Sequence, residues 1–368
     1  MQTFAQNFTT CSKIYARFSV SLQQIQNIMK KLLALLGFLL IMALVAGGAI
    51  YYLLFTCPFQ HTEKAYIYID TDDTADSIKN KIVETGNPRT MLGYELMCKL
   101  KSYGEKHRTG RYELATNATM WDLVRELRNG IQTPVKLVVP SARTIEKMTT
   151  VLSKNLMLDS LSLAQVLNDE TRMKEVGGYS KETLPCLFIP ETYEVYWDIT
   201  PDKLVERLQK EKEKFWNANR RKKALEAKLT PDEVTTLASI VESETNYAPE
   251  KATVAGLYLN RLQRGIKLQS DPTVKFALQD FGLRRILFQH LEYDSPYNTY
   301  MYEGLPPGPI CIPTPAGIDA VLNYERHKYL YMCAKEDFSG SHNFEETLSG
   351  HLINARRYQQ ALNARGIK

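Results

Sequence analysis

The sequence is poor in the residue patterns that build metal and redox sites. Its six cysteines are dispersed without a CxxC pair and its six histidines without ligand spacing, so neither a zinc cluster nor a dithiol redox motif is predicted. Glycine and proline, 19 and 16 of 368 residues, are too few for a collagen-like or low-complexity chain. With 44% hydrophobic and 24% charged residues, the composition is that of a globular protein with a buried core. We expect no cofactor and no bound metal.

Charge is absent from the 24 residues between Leu32 and Phe55. A helix of that length covers about 36 Å, which exceeds the roughly 30 Å thickness of the hydrocarbon core of a bilayer. Lys30 and Lys31 stand immediately before this segment. Because basic residues favour the cytoplasmic side, we predict a cytoplasmic N-terminus at 1–31, one transmembrane helix at 32–55 and an exported remainder.

Other interpretations of this segment stay open. A cleaved signal peptide would have a shorter apolar region of about 7–15 residues and a small-residue cleavage site, and neither matches. Lipidation of Cys57 is a second alternative, although the residues before it fit a lipoprotein cleavage site poorly. Met29 directly precedes the two lysines, so translation that begins at Met29 instead of Met1 is a further hypothesis.

The net charge of +5 belongs mostly to the N-terminal segment. Residues 1–55 contain four basic residues, Lys13, Arg17, Lys30 and Lys31, and no acid. Of the 46 basic and 41 acidic residues of the chain, 42 and 41 therefore lie beyond residue 55, which leaves a net charge of +1 there. Nucleic-acid binding is accordingly not predicted.

One pattern recurs three times between residues 65 and 156: a short β-rich run, a polar turn containing threonine, and an amphipathic helix. Each threonine stands where its hydroxyl can cap the helix that follows. Such β-turn-α units are typical of binding or spacer modules, and three unrelated strand-helix pairs are the alternative. The predicted strands are 65–69, 110–114 and 134–139, the capping residues are Thr74, Thr119 and Thr144, and the helices are 76–84, 120–128 and 145–154.

A helix with a strong start signal follows the charged helical run at 201–228. The sequence Thr230–Glu233 supplies a hydroxyl cap, a proline at the first helical position and a glutamate that can close a capping box. Glu242 lies at the edge of the apolar stripe of this helix, where burial raises the pKa of a carboxyl as a general acid near neutral pH requires. Periodicity does not choose Glu242 over Glu244, and an ordinary surface or capping role for either is the alternative. The stripe consists of Val234, Leu237, Ala238 and Val241.

Six distinctive blocks follow one another in the C-terminal part of the chain. They are Leu237–Thr245, Val254–Leu262, Leu268–Val274, Ser295–Tyr300, Gly304–Ile310 and Ser341–Phe344. In this order they resemble the MltG (YceG-like) family of membrane-anchored endolytic murein transglycosylases. The resemblance runs from the anchor to the C-terminus and implies an α+β fold, with a LysM-like region and connector at 62–187 and a mixed α+β catalytic domain at 188–368.

The resemblance also implies a catalytic residue, because the family's catalytic glutamate in the Ile-Val-Glu motif matches Glu242. The implied reaction cleaves the β-1,4 bond between N-acetylmuramic acid and N-acetylglucosamine. One carboxylic acid protonates the glycosidic oxygen, and the muramic acid C6 hydroxyl then attacks C1 and closes a 1,6-anhydro ring. Since this nucleophile is intramolecular, a second carboxylate is not required, unlike in most glycoside hydrolases.

Other blocks supply residue types that bind sugars, and we predict that they line the groove. Short polar side chains and aromatic rings with hydroxyl or amide neighbours suit sugar hydroxyls, N-acetyl groups and ring faces. Structural support of the groove is the alternative for each of them. His342 is predicted either beside the site or in a surface loop. The predicted substrate-binding residues are Gln269, Ser270, Asp271, Tyr297, Asn298, Thr299 and Tyr300.

The implied partners are peptidoglycan glycan strands and cell-wall synthases such as penicillin-binding proteins. The implied location is the bacterial inner membrane, with one spanning helix and the catalytic domain on the periplasmic face, where the enzyme would release or terminate nascent strands. Two other functions stay open. One is a non-catalytic anchored scaffold that binds glycan, and the other is a lysozyme-type hydrolase.

Overall fold

The computed structural model describes residues 2–61, 63–101, 107–283 and 285–366, with side chains from residue 23 onward except that of residue 101. The chain divides into two compact units, Met1–Thr133 and Pro134–Lys368. Across the described ranges, helices alternate with three small two-stranded sheets. The predicted mixed α+β class is therefore confirmed.

The first unit begins with the long helix α1, Gln2–Phe55. Its section Gln23–Phe55 has a mean hydropathy of 2.6 and is long and apolar enough to cross a membrane. Large apolar side chains on this section are exposed, for example Leu33 at 65% and Leu44 at 67%. This helix contains the predicted transmembrane segment and is compatible with membrane anchoring.

The rest of the first unit is a small sheet covered by helices. Strand β1, Ala65–Ile69, pairs antiparallel with β2, Gly110–Leu114. Inward side chains of the two strands are buried together with Ile78, Ile82 and Leu127 from the helices. Thr74 and Thr119 cap the helices that follow the two strands, as predicted. The helices are α2, Ala75–Gly86, α3, Leu92–Lys101, and α4, Met120–Asn129.

The third predicted strand and helix belong to the second unit. Strand β3, Val135–Val138, pairs antiparallel with β4, Thr192–Val195, and Thr144 caps α5. The three recurring segments therefore do not share one sheet. Buried side chains between Val135 and Leu208, together with Ile312, form one core. The boundary at residue 188 between connector and catalytic domain stays a prediction. The helices of this part are α5, Ile145–Ser153, α6, Ser160–Leu167, α7, Glu170–Gly177, and α8, Pro201–Phe215.

A second core is built around α10, Pro231–Glu244. Every residue from 234 to 241 is buried, so the apolar stripe predicted from the sequence is only part of the covered surface. The buried hydroxyls of Thr235, Thr236 and Ser239 donate to carbonyls of the same helix, which satisfies them inside the core. Thr230 and Glu233 form the predicted capping box.

Four helices pack against α10, namely α9, Ala218–Glu226, α11, Lys251–Gln263, α12, Asp271–Leu278, and α14, Pro315–Leu322. A further helix, α13, Phe288–Leu291, follows α12 in the chain. Strands β5, Tyr331–Ala334, and β6, His342–Glu345, pair antiparallel as a hairpin. Helix α15, Leu348–Ala364, packs against this hairpin.

Candidate active site

The last turn of α10 presents two carboxyl groups, Glu242 and Glu244, on different sides of the helix. Two residues correspond to a rotation of about 200° in an α-helix, so neighbouring glutamates at this spacing face nearly opposite directions. Each one borders its own cavity. The environments of the two carboxyls therefore differ, although the sequence places both on the same turn.

Glu242 is bound from the N-terminal end of α14. The backbone N–H of Thr314 donates to Oε2 at 2.8 Å, and the Thr314 hydroxyl lies 3.0 and 3.1 Å from the two carboxyl oxygens. Lys251 Nζ lies 3.5 Å from Oε1. Every one of these contacts uses the carboxyl as an acceptor or as the anion of an ion pair.

A glycine makes room for this arrangement. A Cβ atom at Gly317 would collide with Glu242 Oε2, and Gly317 N–H donates to the Thr314 hydroxyl at 3.2 Å. Any larger residue at position 317 would displace the carboxyl from the helix terminus. The first turn of α14 is thus shaped around Glu242.

Glu244 lies in a different environment. The hydroxyls of Tyr258, at 2.7 Å, and Ser270 both donate to its Oε1. Tyr258 is 2% and Ser270 0% exposed, so these donors are fixed in the core. Burial raises the pKa of the Glu244 carboxyl above its ordinary value, and the two hydrogen bonds oppose that rise only in part. Among the described residues none donates to Oε2, which leaves that oxygen able to hold a proton for transfer.

The cavity beside Glu244 has a volume of about 370 Å³ and is lined by polar and aromatic side chains. The Tyr300 hydroxyl donates to Asp271 Oδ1 at 2.6 Å. Arg261 is buried, donates to two backbone carbonyls of the 267–268 loop, and reaches Gln269 Oε1 at 3.1 Å. These contacts fix the loop that carries the polar residues of the cavity wall. A pocket with a protonatable acid, carboxamide and phenol groups can bind and cleave a polar ring compound.

His342 also lines this cavity, so the structure places it beside the candidate acid. Its Nδ1 lies 2.6 Å from Glu250 Oε1, and its backbone N–H donates to Glu250 Oε2 at 2.8 Å. Glu250 is only 6% exposed, which makes it a fixed support for the imidazole. His342 reduces the rise in the pKa of Glu244, while Asp271 adds to it.

Four of the predicted substrate-binding residues gather around Glu244. Gln269, Asp271 and Tyr300 line its cavity, and Ser270 bonds its carboxyl directly. None of these four lines the cavity beside Glu242. The fold therefore brings four of the predicted residues together, and it places them around Glu244 and not around Glu242.

Of the other three predicted contacts, Asn298 and Thr299 are buried and Tyr297 is half-buried. Asn298 is fully buried and donates to the carbonyls of Leu291 and Tyr293. Thr299, 2% exposed, accepts from Ser270 N–H at 3.0 Å. The Tyr297 ring packs 4.7 Å from that of Phe276. These positions hold the walls of the site in place, and direct sugar contact by them stays a prediction.

Tyr258, Arg261 and Glu250 contribute to the site without having been singled out in the sequence. Tyr258 and Arg261 fall inside the distinctive block 254–262, which was the one signal that could have drawn attention to them. Nothing in the sequence joins Glu250 to His342, because 92 positions separate them. Within the described part of the chain, no group of three His, Cys, Asp or Glu side chains could hold a metal ion.

Comparison with known proteins identifies the family. The sequence model of the YceG-like family matches residues 67–357. The chain belongs to the YceG-like family. The matched segment includes both glutamates and all of the residues around them, so the site lies within the part of the chain that defines the family.

Curated relatives of this YceG-like chain carry the name endolytic murein transglycosylase. One from Bacillus subtilis is 35% identical over 136 residues, which is 37% of this chain and 37% of the relative. One from Streptococcus pneumoniae is 25% identical over 335 residues, 81% of this chain and 60% of the relative. The aligned regions thus span less than two thirds of the length of either relative.

A crystal structure of a YceG-like protein from Listeria monocytogenes has the same fold. It matches with a TM-score of 0.51 at 23% identity and covers 79% of this chain and 98% of the other. At this identity the likeness concerns the fold alone.

Proposed function

We propose that this YceG-like chain is an endolytic lytic transglycosylase that cleaves glycan strands of peptidoglycan between N-acetylmuramic acid and N-acetylglucosamine. The name of the relatives supports the substrate class. The observation that carries the proposal is Glu244, a carboxyl whose pKa is raised by burial beside a cavity of polar and aromatic side chains. Such a group is suited to protonate a leaving oxygen near neutral pH.

The geometry supports Glu244 as the acid more strongly than Glu242, the residue that the family motif suggested. A general acid needs a proton and room for the acceptor. Glu244 has a raised pKa, an oxygen without a donor from the described residues, and the predicted sugar-binding side chains around it. Glu242 is held as an acceptor by Thr314 and Lys251. Glu242 remains the second candidate for the acid.

The proposed reaction needs one carboxyl group. Glu244 gives its proton to the glycosidic oxygen while the bond from that oxygen to C1 of muramic acid breaks. The resulting carboxylate accepts the proton of the C6 hydroxyl of the same sugar, whose oxygen bonds to C1 and closes the 1,6-anhydro ring. Tyr258 and Ser270 donate to the carboxylate oxygen that forms in the first step and so stabilise its charge. The proton returns to Glu244, and no water is consumed.

The proposal extends to the location of the chain. Helix α1 anchors it in the bacterial inner membrane with Lys30 and Lys31 on the cytoplasmic side and the catalytic part on the periplasmic face. The exposed apolar surface of Gln23–Phe55 supports this anchoring. Residues 62–187 serve as a LysM-like glycan-binding region and connector, which the small β1-α2-α3-β2 unit favours. Cell-wall synthases such as penicillin-binding proteins are the proposed partners at this site.

Mass spectrometry of the digestion products tests the proposal. Purified full chain in detergent is incubated with peptidoglycan, and the released fragments are analysed for 1,6-anhydro and reducing ends. We expect internal cleavage with anhydro ends for the wild type and none for Glu244→Gln. Reducing ends without anhydro ends would instead identify a lysozyme-type hydrolase, and equal product from wild type and variant would identify a non-catalytic scaffold.

The same experiment decides between the two glutamates. Glu242→Gln keeps the size of the side chain and removes the ion pair with Lys251. We expect this variant to retain the chemistry with a reduced rate, because it alters the neighbouring cavity and not the proton donor. Complete loss in Glu242→Gln together with activity in Glu244→Gln would reverse the assignment.

A further inference from the structure

The cavity beside Glu242 is larger than that beside Glu244, at about 590 Å³, and it is basic. Three cationic side chains line it: Arg143, Lys147 and Lys275. They come from the segment before α5, from α5 itself and from α12. Because α12 is distant in the chain from α5, the fold brings Lys275 to the other two cations.

The positive charge of this cavity is not neutralised. Among its described lining residues Glu242 is the single acid, and Glu242 already pairs with Lys251 at 3.5 Å. No acid of the described chain lies within 4.0 Å of the three lining cations. Arg143 instead stacks over the Phe281 ring at 5.3 Å. A concave site with three uncompensated cations attracts and holds anions.

The other walls of the cavity suit an extended organic ligand more than a small ion. Phe276, Phe281 and Ile310 supply apolar surface, and Ser243 and Asn246 supply hydroxyl and carboxamide groups. A volume of this size is within the range of about 300–1,000 Å³ that organic ligands occupy in proteins. The mixture of separated cations, apolar patches and neutral polar groups matches a short peptide that carries several carboxylates.

The two cavities flank one segment of chain, which suggests what the peptide is attached to. Glu242 and Ser243 border the basic cavity, while Glu244 borders the other. Pro272 lines the basic cavity and its neighbour Asp271 lines the one beside Glu244. A ligand that spans this segment would place a sugar at Glu244 and a substituent of that sugar among the cations.

We infer that the basic cavity binds the carboxylates of the stem peptide on muramic acid, so that the enzyme prefers peptide-bearing glycan to bare glycan. This inference rests on the proposed function. The peptide is joined to the lactyl group of the muramic acid that is cleaved, and its carboxylates would pair with Arg143, Lys147 and Lys275. Recognition of the peptide would thereby position the scissile bond at Glu244.

A binding measurement tests the inference without requiring catalysis. The probe is a synthetic tripeptide of the stem type, N-acetyl-alanyl-γ-glutamyl-lysine, which carries two carboxylates and one ammonium group. It is titrated calorimetrically into full-length Glu244→Gln. We expect binding that weakens by roughly tenfold in Lys147→Gln/Lys275→Gln, since each of the two solvent-accessible charge pairs contributes roughly threefold. Lys147→Arg/Lys275→Arg keeps both charges and should bind the tripeptide as tightly as the parent. Lys203→Gln/Lys210→Gln, which replaces two exposed lysines of α8, is the matched control for net charge.

Two results of this titration would overturn the inference. The first is binding of the fully amidated tripeptide as tightly as the acidic one. The second is heat of binding for inorganic phosphate together with none for the tripeptide, which would make the cavity a phosphate site.

Cleavage of two substrates separates failure of this inference from failure of the proposed function. The rate on peptide-bearing strands is divided by the rate on strands stripped of peptide. We expect Lys147→Gln/Lys275→Gln to lower this ratio by about tenfold and Lys203→Gln/Lys210→Gln to leave it unchanged. An unchanged ratio in Lys147→Gln/Lys275→Gln refutes the role of the cavity. A wild type that cleaves neither substrate refutes the proposed function, and the titration then decides the inference.

Discussion

The hydrogen bond from Tyr258 to Glu244 offers a direct test of how the proposed acid is tuned. Tyr258 Oη lies 2.7 Å from Glu244 Oε1, and burial together with the neighbouring Glu244 raises the pKa of the phenol, so the hydroxyl stays a donor. The variant Tyr258→Phe removes this donor and leaves the ring. Since the bond favours the ionised carboxyl, its loss raises the pKa of Glu244 further.

The magnitude follows from the strength of a hydrogen bond to a charged group. Such a bond contributes about 1.5–3 kcal/mol, and one pKa unit corresponds to about 1.4 kcal/mol. The Ser270 hydroxyl still donates to the same oxygen, which limits the change. We therefore expect the pKa of Glu244 to rise by about 1–2 units in Tyr258→Phe.

The assay is the pH dependence of kcat/KM, measured by the release of anhydro-ended fragments. An acid must be protonated to act, so activity falls as pH rises through the pKa of Glu244 in the free enzyme. The alkaline limb of Tyr258→Phe should lie about 1–2 pH units above that of the wild type. Tyr300→Phe is the matched control, because Tyr300 bonds Asp271 and not Glu244. The control can change the rate but should not move the limb.

Either of two results would refute this reasoning. An alkaline limb that stays in place in Tyr258→Phe would mean that the limb reports another group, and Glu242 would become the first candidate. A limb that moves to lower pH would mean that the tyrosine stabilises the protonated carboxyl more than the carboxylate, contrary to the expectation that donors to Oε1 favour the anion.

Three further predictions concern stability and topology. Because the pKa of Glu244 is raised in the folded chain, that chain keeps a proton that the unfolded chain loses near pH 4.5. The free energy of unfolding of the wild type therefore falls as pH rises from there through the folded-state pKa. Chemical denaturation should show a smaller fall in Glu244→Gln, and an identical fall would contradict the assignment. Gly317→Ala should lower the free energy of unfolding by about 1–3 kcal/mol, because the added methyl group crowds Glu242. The control Ala320→Gly, on the same helix, should lower it by at most about 1 kcal/mol. Equal small losses in both variants would show that Glu242 moves freely. Replacing Lys30 and Lys31 by glutamate should invert or scramble the orientation of α1 in cells. Protease accessibility of the C-terminal part measures this orientation. An unchanged orientation would show that other residues determine it.

Local signals in the sequence predicted the elements well. Thr74, Thr119, Thr144 and Thr230 each cap the helix that follows, because capping depends on residues within a single turn. Strand pairing was not predictable in the same way. The strand beginning at Val135 pairs with one almost 60 residues away, and only the packing of the whole second unit selects that partner over the two earlier strands.

The choice between the two glutamates shows where sequence reasoning ends. Periodicity identifies an apolar stripe on α10, but the helix is covered on all sides, so both edges of the stripe are equally good places for a carboxyl. The difference between the edges comes from other elements. Thr314 at the start of α14 brings a backbone N–H to Glu242, and Tyr258 and Ser270 bring hydroxyls to Glu244. An amide N–H at a helix terminus stabilises an anion. At Glu244 two hydroxyls donate to one carboxyl oxygen, which leaves the other oxygen for a proton. The fold thus suits Glu242 to be an anionic hydrogen-bond acceptor and Glu244 to be a proton donor, although the two side chains are chemically identical.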